Sequence, residues 1–119
     1  MIDHLELRTR RLDESLRFYS DVLKPLGYAP RLLGATNGFG DGSGLDLFIA
    51  EGEPTAHVHF AFAALSRVAV DAVYEAGRVG GHRLDRAPAL APSIHPNYYA
   101  GYLRDPDGHL VEFVCQRAE

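Results

Sequence analysis

The chain has 119 residues, enough for one domain with a core of ordinary size, and its 46% hydrophobic and 24% charged residues are the proportions of a soluble globular protein. A formal net charge of −4, with basic residues scattered along the chain, excludes a nucleic-acid surface built on a basic stripe. No run approaches the ~20 apolar residues of a membrane span, and the Asp3-His4 start lacks the apolar stretch of a signal peptide. With one cysteine there is no intrachain disulfide; Cys115 is expected as a small buried strand residue, and a reducing cytoplasm is the expected setting.

Residues 2–8 alternate, with Leu5 and Leu7 on one face and His4 and Glu6 on the other, the pattern of a half-buried strand. Leu12, Leu16, Tyr19 and Leu23 fall on one face of a helix with Asp13 and Glu14 in its first turn; Pro25 and Gly27 stop it. Residues 28–33 read as a strand confined by Pro30 to an edge or a bend. Asn37-Gly38 and Asp41-Gly42 predict tight turns around a short strand, and residues 45–50 form a fourth strand. Residues 51–54 link this unit to a second one of the same order. Residues 58–63 form a strand, and Ser66 caps a helix through Val70, Val73 and Tyr74 that ends at Gly80-Gly81. A strand near residues 83–86 follows, then a loop over residues 87–97, which hold three prolines. Residues 98–104 and 110–115 make a hairpin across Asp105-Pro106-Asp107-Gly108.

The order is therefore βαβββ twice, an α+β fold of two modules, residues 1–52 and 55–119, sharing one core with the helices on the outside of an open, partly closed barrel. His recurs in the opening strand of each copy, at His4 and, about 55 residues on, at His59. Parity sorts the faces. Val58, Phe60 and Phe62, and likewise Val111, Phe113 and Cys115, belong beneath the helices with Leu5 and Leu7. His4, His59 and Glu112 then share the opposite, concave face. A carboxylate in the middle of an apolar strand must be paired, hydrogen-bonded or metal-bound. Two imidazoles and one carboxylate on one surface suit a first-row divalent ion such as Zn, Ni, Co, Mn or Fe(II), with positions left open for water or substrate. Of the other polar residues, His57 lies on the His59 face as a proton carrier or alternative ligand. Tyr98, Tyr99 and Tyr102 precede Glu112 on the neighbouring strand, where at least one should face the pocket; Tyr98 and Tyr99 are the candidates taken forward. His95 sits in a loop beside Pro96. The glycines at 38, 40, 42 and 44 lack the strand–glycine–helix order of a phosphate loop.

These residues resemble the vicinal oxygen chelate superfamily, the glyoxalase/bleomycin-resistance/dioxygenase group, over essentially the whole chain. The likeness rests on Asp3-His4-Leu5, on Ser15 with Phe18-Tyr19, on His59-Phe60-Ala61-Phe62, and above all on the Asp105-Pro106-Asp107-Gly108 turn with Glu112 four residues beyond it. The segment His95-Pro96-Asn97-Tyr98-Tyr99 is similar to that of small glyoxalase-like proteins. The resemblance implies His4, His59 and Glu112 as metal ligands, and a homodimer whose paired modules come from one chain or are exchanged between two. It differs from glyoxalase I-type sites in the first module, where the counterpart of Glu112 is either Asp46, a fourth ligand, or Phe48. It differs from fosfomycin-resistance thiol transferases in carrying Glu6 where they place a hydroxyl; an anionic phosphonate beside Glu6 would be repelled.

The function expected is a metal-dependent enzyme acting on a small molecule that chelates the ion through two neighbouring oxygens, with Glu112, His57 or a water moving a proton. Lyase or isomerase chemistry is favoured over dioxygenation or thiol transfer. The competing reading is a binding or resistance protein that sequesters an aromatic or cationic molecule without turnover. Neither a nucleic acid nor a membrane is an expected partner.

Overall fold

The computed structural model describes residues 2–32, 34 and 36–119. Among these the elements run β1 (Leu5–Thr9), α1 (Leu12–Leu23), β2 (Ala29–Leu32), β3 (Thr36–Gly40) and β4 (Leu47–Glu51), then β5 (His59–Ala63), α2 (Arg67–Val79), β6 (Arg83–Leu90), β7 (Tyr99–Arg104) and β8 (Leu110–Cys115). This is the α+β arrangement of two βαβββ modules. Each module makes its own four-stranded sheet, in the order β1-β4-β3-β2 and β5-β8-β7-β6. The opening strand of each pairs in parallel with the closing strand, and the rest of each sheet is antiparallel. The sheets are not closed into a barrel; β1 and β5 remain edge strands, consistent with a partly closed architecture.

Local chemistry accounts for the ends of the helices. Asp13 and Glu14 occupy the first turn of α1. Pro25 converts its end into a 3-10 turn over Lys24–Leu26, and Gly27, at φ 82°, closes it by donating its N–H to the Lys24 carbonyl. Ser66 caps α2, its hydroxyl accepting from the Ala69 amide at 3.1 Å. Among the described residues no helix is long and apolar enough to cross a membrane.

A single core joins the modules. Phe18, Tyr19, Val22 and Leu23 of α1 and Val70 and Val73 of α2 pack together with Leu7, Phe39, Leu47 and Ile49 of the first sheet. Leu103, Val111, Phe113 and the fully buried Cys115 of the second sheet join the same cluster. The alternation expected for β1, β5 and β8 holds, so the faces bearing His4, His59 and Glu112 turn away from this core, with the helices behind them. Polar ties reinforce the seam. The Tyr19 hydroxyl donates to Asp105 at 2.6 Å, His82 Nε2 lies 2.7 Å from the Asp21 carboxylate, and Arg17 donates to the Gly80 carbonyl at 2.9 Å.

Two expectations fail locally. Asn37-Gly38 is not a turn but lies inside β3, where the buried Asn37 amide donates to the Ile49 and Gly34 carbonyls. The turn comes later, where Asp41 accepts from the Ser43 amide and hydroxyl and Gly42 takes φ 102°. Residues 87–90, expected in a loop, extend β6 through Pro88. The sheet tolerates this because β6 is an edge strand, where a residue without an N–H donor costs no ladder bond on its outer side. Leu33, at the end of the strand expected over 28–33, lies outside the described residues.

Tyr19 is buried against a carboxylate. Burial first, and the Asp105 charge second, hold its phenol well above the ordinary tyrosine range. The folded protein therefore keeps this proton where the unfolded chain releases it. The stability it contributes is intact below about pH 10 and lost as pH rises beyond it. Tyr19→Phe is expected to cost about 1–3 kcal/mol in urea unfolding at neutral pH, because a buried Asp105 oxygen loses its donor. The variant should also lose stability less steeply above about pH 10 than wild type. An unchanged alkaline slope would contradict this assignment.

Candidate metal centre

The site is built on a cross-strand row. Parallel pairing sets Ala61 of β5 opposite Glu112 of β8, and antiparallel pairing sets Glu112 opposite Tyr102 of β7 and Tyr102 opposite Arg86 of β6. Partners in a row project to the same face, so Glu112 stands on the concave side with Tyr102 and, two residues before β7 position Ala100, with Tyr98. Leu110, Val114, Ala100, Tyr98 and Tyr102 form a small apolar cluster around it. The Glu112 side chain is only 4% exposed.

Its partners are an imidazole and a phenol. His59 Nε2 lies 2.8 Å from Oε1, and the Tyr98 hydroxyl donates to Oε2. Among the described residues no arginine or lysine lies within ion-pair distance of Glu112, the only ion-pair partner found there being His59. The Tyr98 phenol is pushed up to about 12, by the bond to Glu112 first and by burial second. Tyr102 is raised by burial first and by the charge of Glu112 second. The Arg86 guanidinium stacks over the Tyr102 ring, 4.0 Å from its centroid. A buried carboxylate with no arginine or lysine beside it, next to a half-exposed imidazole, is a donor pair of the kind a first-row divalent ion uses. An ion bound there would replace the contact between His59 and Glu112.

The expected residues divide sharply. His59, Glu112 and Tyr98 are brought together. His4 is not: it lies one residue before β1, its Nδ1 is 2.6 Å from Asp3, and its ring meets Phe48 edge-on at 5.3 Å. It sits at the rim of a cleft of about 380 Å³ between the start of β1 and β5. Among the described residues no three His, Cys, Asp or Glu side chains lie close enough to share an ion. His57 also leaves the site. Residues 57–58 precede β5 and are drawn to the β7–β8 turn, where His57 Nε2 meets the Asp107 carbonyl at 3.1 Å. Tyr99 has the wrong parity. It points to the helix side, donates to Asp71 of α2 at 2.6 Å and carries the Arg67 guanidinium 5.5 Å from its ring centroid.

Register also decides between Asp46 and Phe48. Glu6 pairs with Phe48 in the first module as Ala61 pairs with Glu112 in the second, so Phe48 is the counterpart of Glu112. Asp46 instead accepts from the Tyr28 hydroxyl, whose pKa is raised by burial first and by that bond second. Sequence reasoning weighs Tyr102 with Tyr98 and Tyr99 without taking it forward, and it does not single out Arg86. The signal for Tyr102 was there, since it shares parity with Tyr98 across an antiparallel hairpin of readable register.

The fold and the motif agree with the comparisons. The family model described as the glyoxalase/bleomycin resistance protein/dioxygenase superfamily matches residues 1–113. The chain belongs to this superfamily. A glyoxalase/bleomycin resistance protein from Albidiferax ferrireducens T118 superposes with a TM-score of 0.81 at 26% identity, over 94% of this chain and 96% of that one. A glyoxalase/bleomycin resistance protein/dioxygenase from Nocardioides gives 0.68 at 26% identity over 98% and 83%. A lactoylglutathione lyase from Agrobacterium tumefaciens shares the fold, with a TM-score of 0.70 at 23% identity over 97% and 92%. No curated protein has a sequence significantly similar to this one.

Tyr98 is expected to titrate about pH 12, and Tyr98→Phe should remove absorbance change from that end of an ultraviolet titration while leaving the part near pH 10 as it was. Loss of amplitude near pH 10 instead would mean that Tyr98 does not bond Glu112.

Proposed function

We propose that this protein is a metal-dependent lyase or isomerase of the superfamily, acting on a small substrate that presents two neighbouring oxygens to the ion. The observation that carries the reading is Glu112, buried, with no arginine or lysine among the described residues beside it, and shared by His59 and Tyr98. His59 and Glu112 would hold the ion, with His4 as the third ligand. The core argues for the source of that third ligand. Tyr19–Asp105 and Asp21–His82 pin the two modules of one chain in an arrangement that keeps His4 away, so we assign His4 to a second copy, in a module-exchanged homodimer.

A divalent ion supplies a Lewis acid that polarises a bound oxygen and offsets negative charge developing on it. The chain's own groups do the rest. Phe48 at the counterpart of Glu112 leaves three protein ligands and hence open positions for substrate. With Glu112 holding an ion, the Tyr98 hydroxyl would be free to donate to a substrate oxygen, and Tyr102 would wall the same side. Proton transfer falls to the carboxylate of Glu112, since His57 lies at the turn. Glu6, on the concave face of β1, disfavours a doubly charged phosphonate there, which favours the lyase or isomerase reading over thiol transfer to such a substrate.

Metal-replete protein is expected to bind one divalent ion per chain, and His59→Ala and Glu112→Ala to weaken that affinity by at least ~10-fold, the loss seen even for outer ligand partners. His4→Ala and Glu112→Ala chains, each deficient alone, should recover ion binding when mixed and refolded, because a mixed dimer rebuilds one complete site. Wild type that holds no metal by elemental analysis would sink the enzyme reading. Dimeric variants that fail to complement would sink the exchanged site and leave the metal reading standing.

A further inference from the structure

A second cavity, of about 230 Å³, lies on the module seam, between the start of α1 and the β7–β8 turn. Arg11 and Arg17 of the first module and Arg83 and Arg104 of the second line it. Four of the 12 basic side chains of a net-negative chain thus meet at one small opening. Among the described residues three of the four have acidic neighbours, and Arg83 does not. Asp105 is buried and its oxygens are taken by the Tyr19 hydroxyl and the amides of Asp107 and His109. Glu14 is 62% exposed and stands 3.8 Å from Arg11. Beyond the wall, Arg17 is 3.9 Å from Asp21, which is itself engaged by His82 at 2.7 Å. Arg104 is paired with Asp85 at 3.0 Å. Among the described residues no carboxylate lies within ion-pair distance of Arg83, whose neighbours on β6 and β7 supply Asp85 to Arg104 and Arg86 instead.

We propose that this seam cavity is an oxyanion site of the phosphate class, clamping the two modules together through arginines of both. Planar guanidinium forks are the side chains suited to tetrahedral oxyanions. The volume is below the roughly 300–1,000 Å³ of pockets that enclose larger organic ligands, so the group recognised is a phosphate and not the molecule that carries it. The anion stands in for the acid that Arg83 lacks, and it leaves the concave face and Glu112 untouched.

The test uses the full chain in chelator, so that no ion at Glu112 competes for phosphate. Inorganic phosphate and glycerol phosphate are titrated calorimetrically and by thermal unfolding, against sodium chloride at equal ionic strength. Both phosphates are expected to bind and to raise Tm more than chloride does. Arg83→Ala and Arg11→Ala, both at exposed positions, should each weaken binding by roughly 10-fold, the loss of one charge-assisted contact. Arg31→Ala and Glu112→Gln should leave it unchanged. Glycerol phosphate binding as tightly as phosphate supports recognition of the phosphate group alone, and binding at least ~10-fold tighter overturns that by showing that the carrier is recognised too. A Tm response equal to that of chloride, or retention of phosphate affinity in both arginine variants, overturns the proposal.

Discussion

The placement of Glu112 depends on a carboxylate seven residues away. Asp105 is 2% exposed and accepts three hydrogen bonds. Two come from the amides of Asp107 and His109 and fold the β7–β8 turn; the third comes from Tyr19 on α1, in the other module. The turn needs Gly108 at φ 88°, and a side chain there would also meet His57 Nε2 at 2.9 Å. His109 then completes the splice, its Nδ1 accepting the Val58 amide at 3.1 Å where β5 begins. One buried charge thus sets the register of β7 on β8, the entry of β5, and the docking of module on module. It is stabilised by donors arranged around it and not by a cation, which is what a charge-assisted network in a tight turn provides.

The duplicated architecture carries unequal chemistry. The same register that places Glu112 opposite Ala61 places Phe48 opposite Glu6. One module therefore offers a buried carboxylate, an imidazole and two phenols, and the other offers an imidazole against an aromatic ring, with Glu6 on the same face. The half-sites are complementary in composition. Within one chain they are held apart by a core that uses both helices and both sheets, so the arrangement that stabilises the monomer also withholds His4 from Glu112.

Much of the concave face was legible in advance because strand parity is a hard constraint. Once Val111, Phe113 and Cys115 are buried, Glu112 has to face the other way. The same rule, applied through the hairpin, separates Tyr98 and Tyr102 from Tyr99, but only when the pairing is known; adjacent tyrosines look equivalent along a sequence. Asn37-Gly38 misled for a related reason. Its turn propensity is real, yet the buried amide of Asn37 finds carbonyl partners inside the sheet, and the Asx turn at Asp41 does the reversal instead. His57 shares parity with His59, but it lies two residues before β5 and its ring is drawn to the Asp107 carbonyl of the β7–β8 turn.

Composition, periodicity and the Asp105-Pro106-Asp107-Gly108 turn were enough to determine two βαβββ modules, the faces of their strands and the direction in which Glu112 points, because these follow from interactions between residues near in sequence. Tertiary structure alone decided that Phe48 is the partner position of Glu112, that Tyr99 serves α2, and that His4 stays outside the His59–Glu112 pair. Those outcomes depend on strand register and on how the helices dock across the module seam. Both are set by contacts between segments tens of residues apart, which no local pattern specifies.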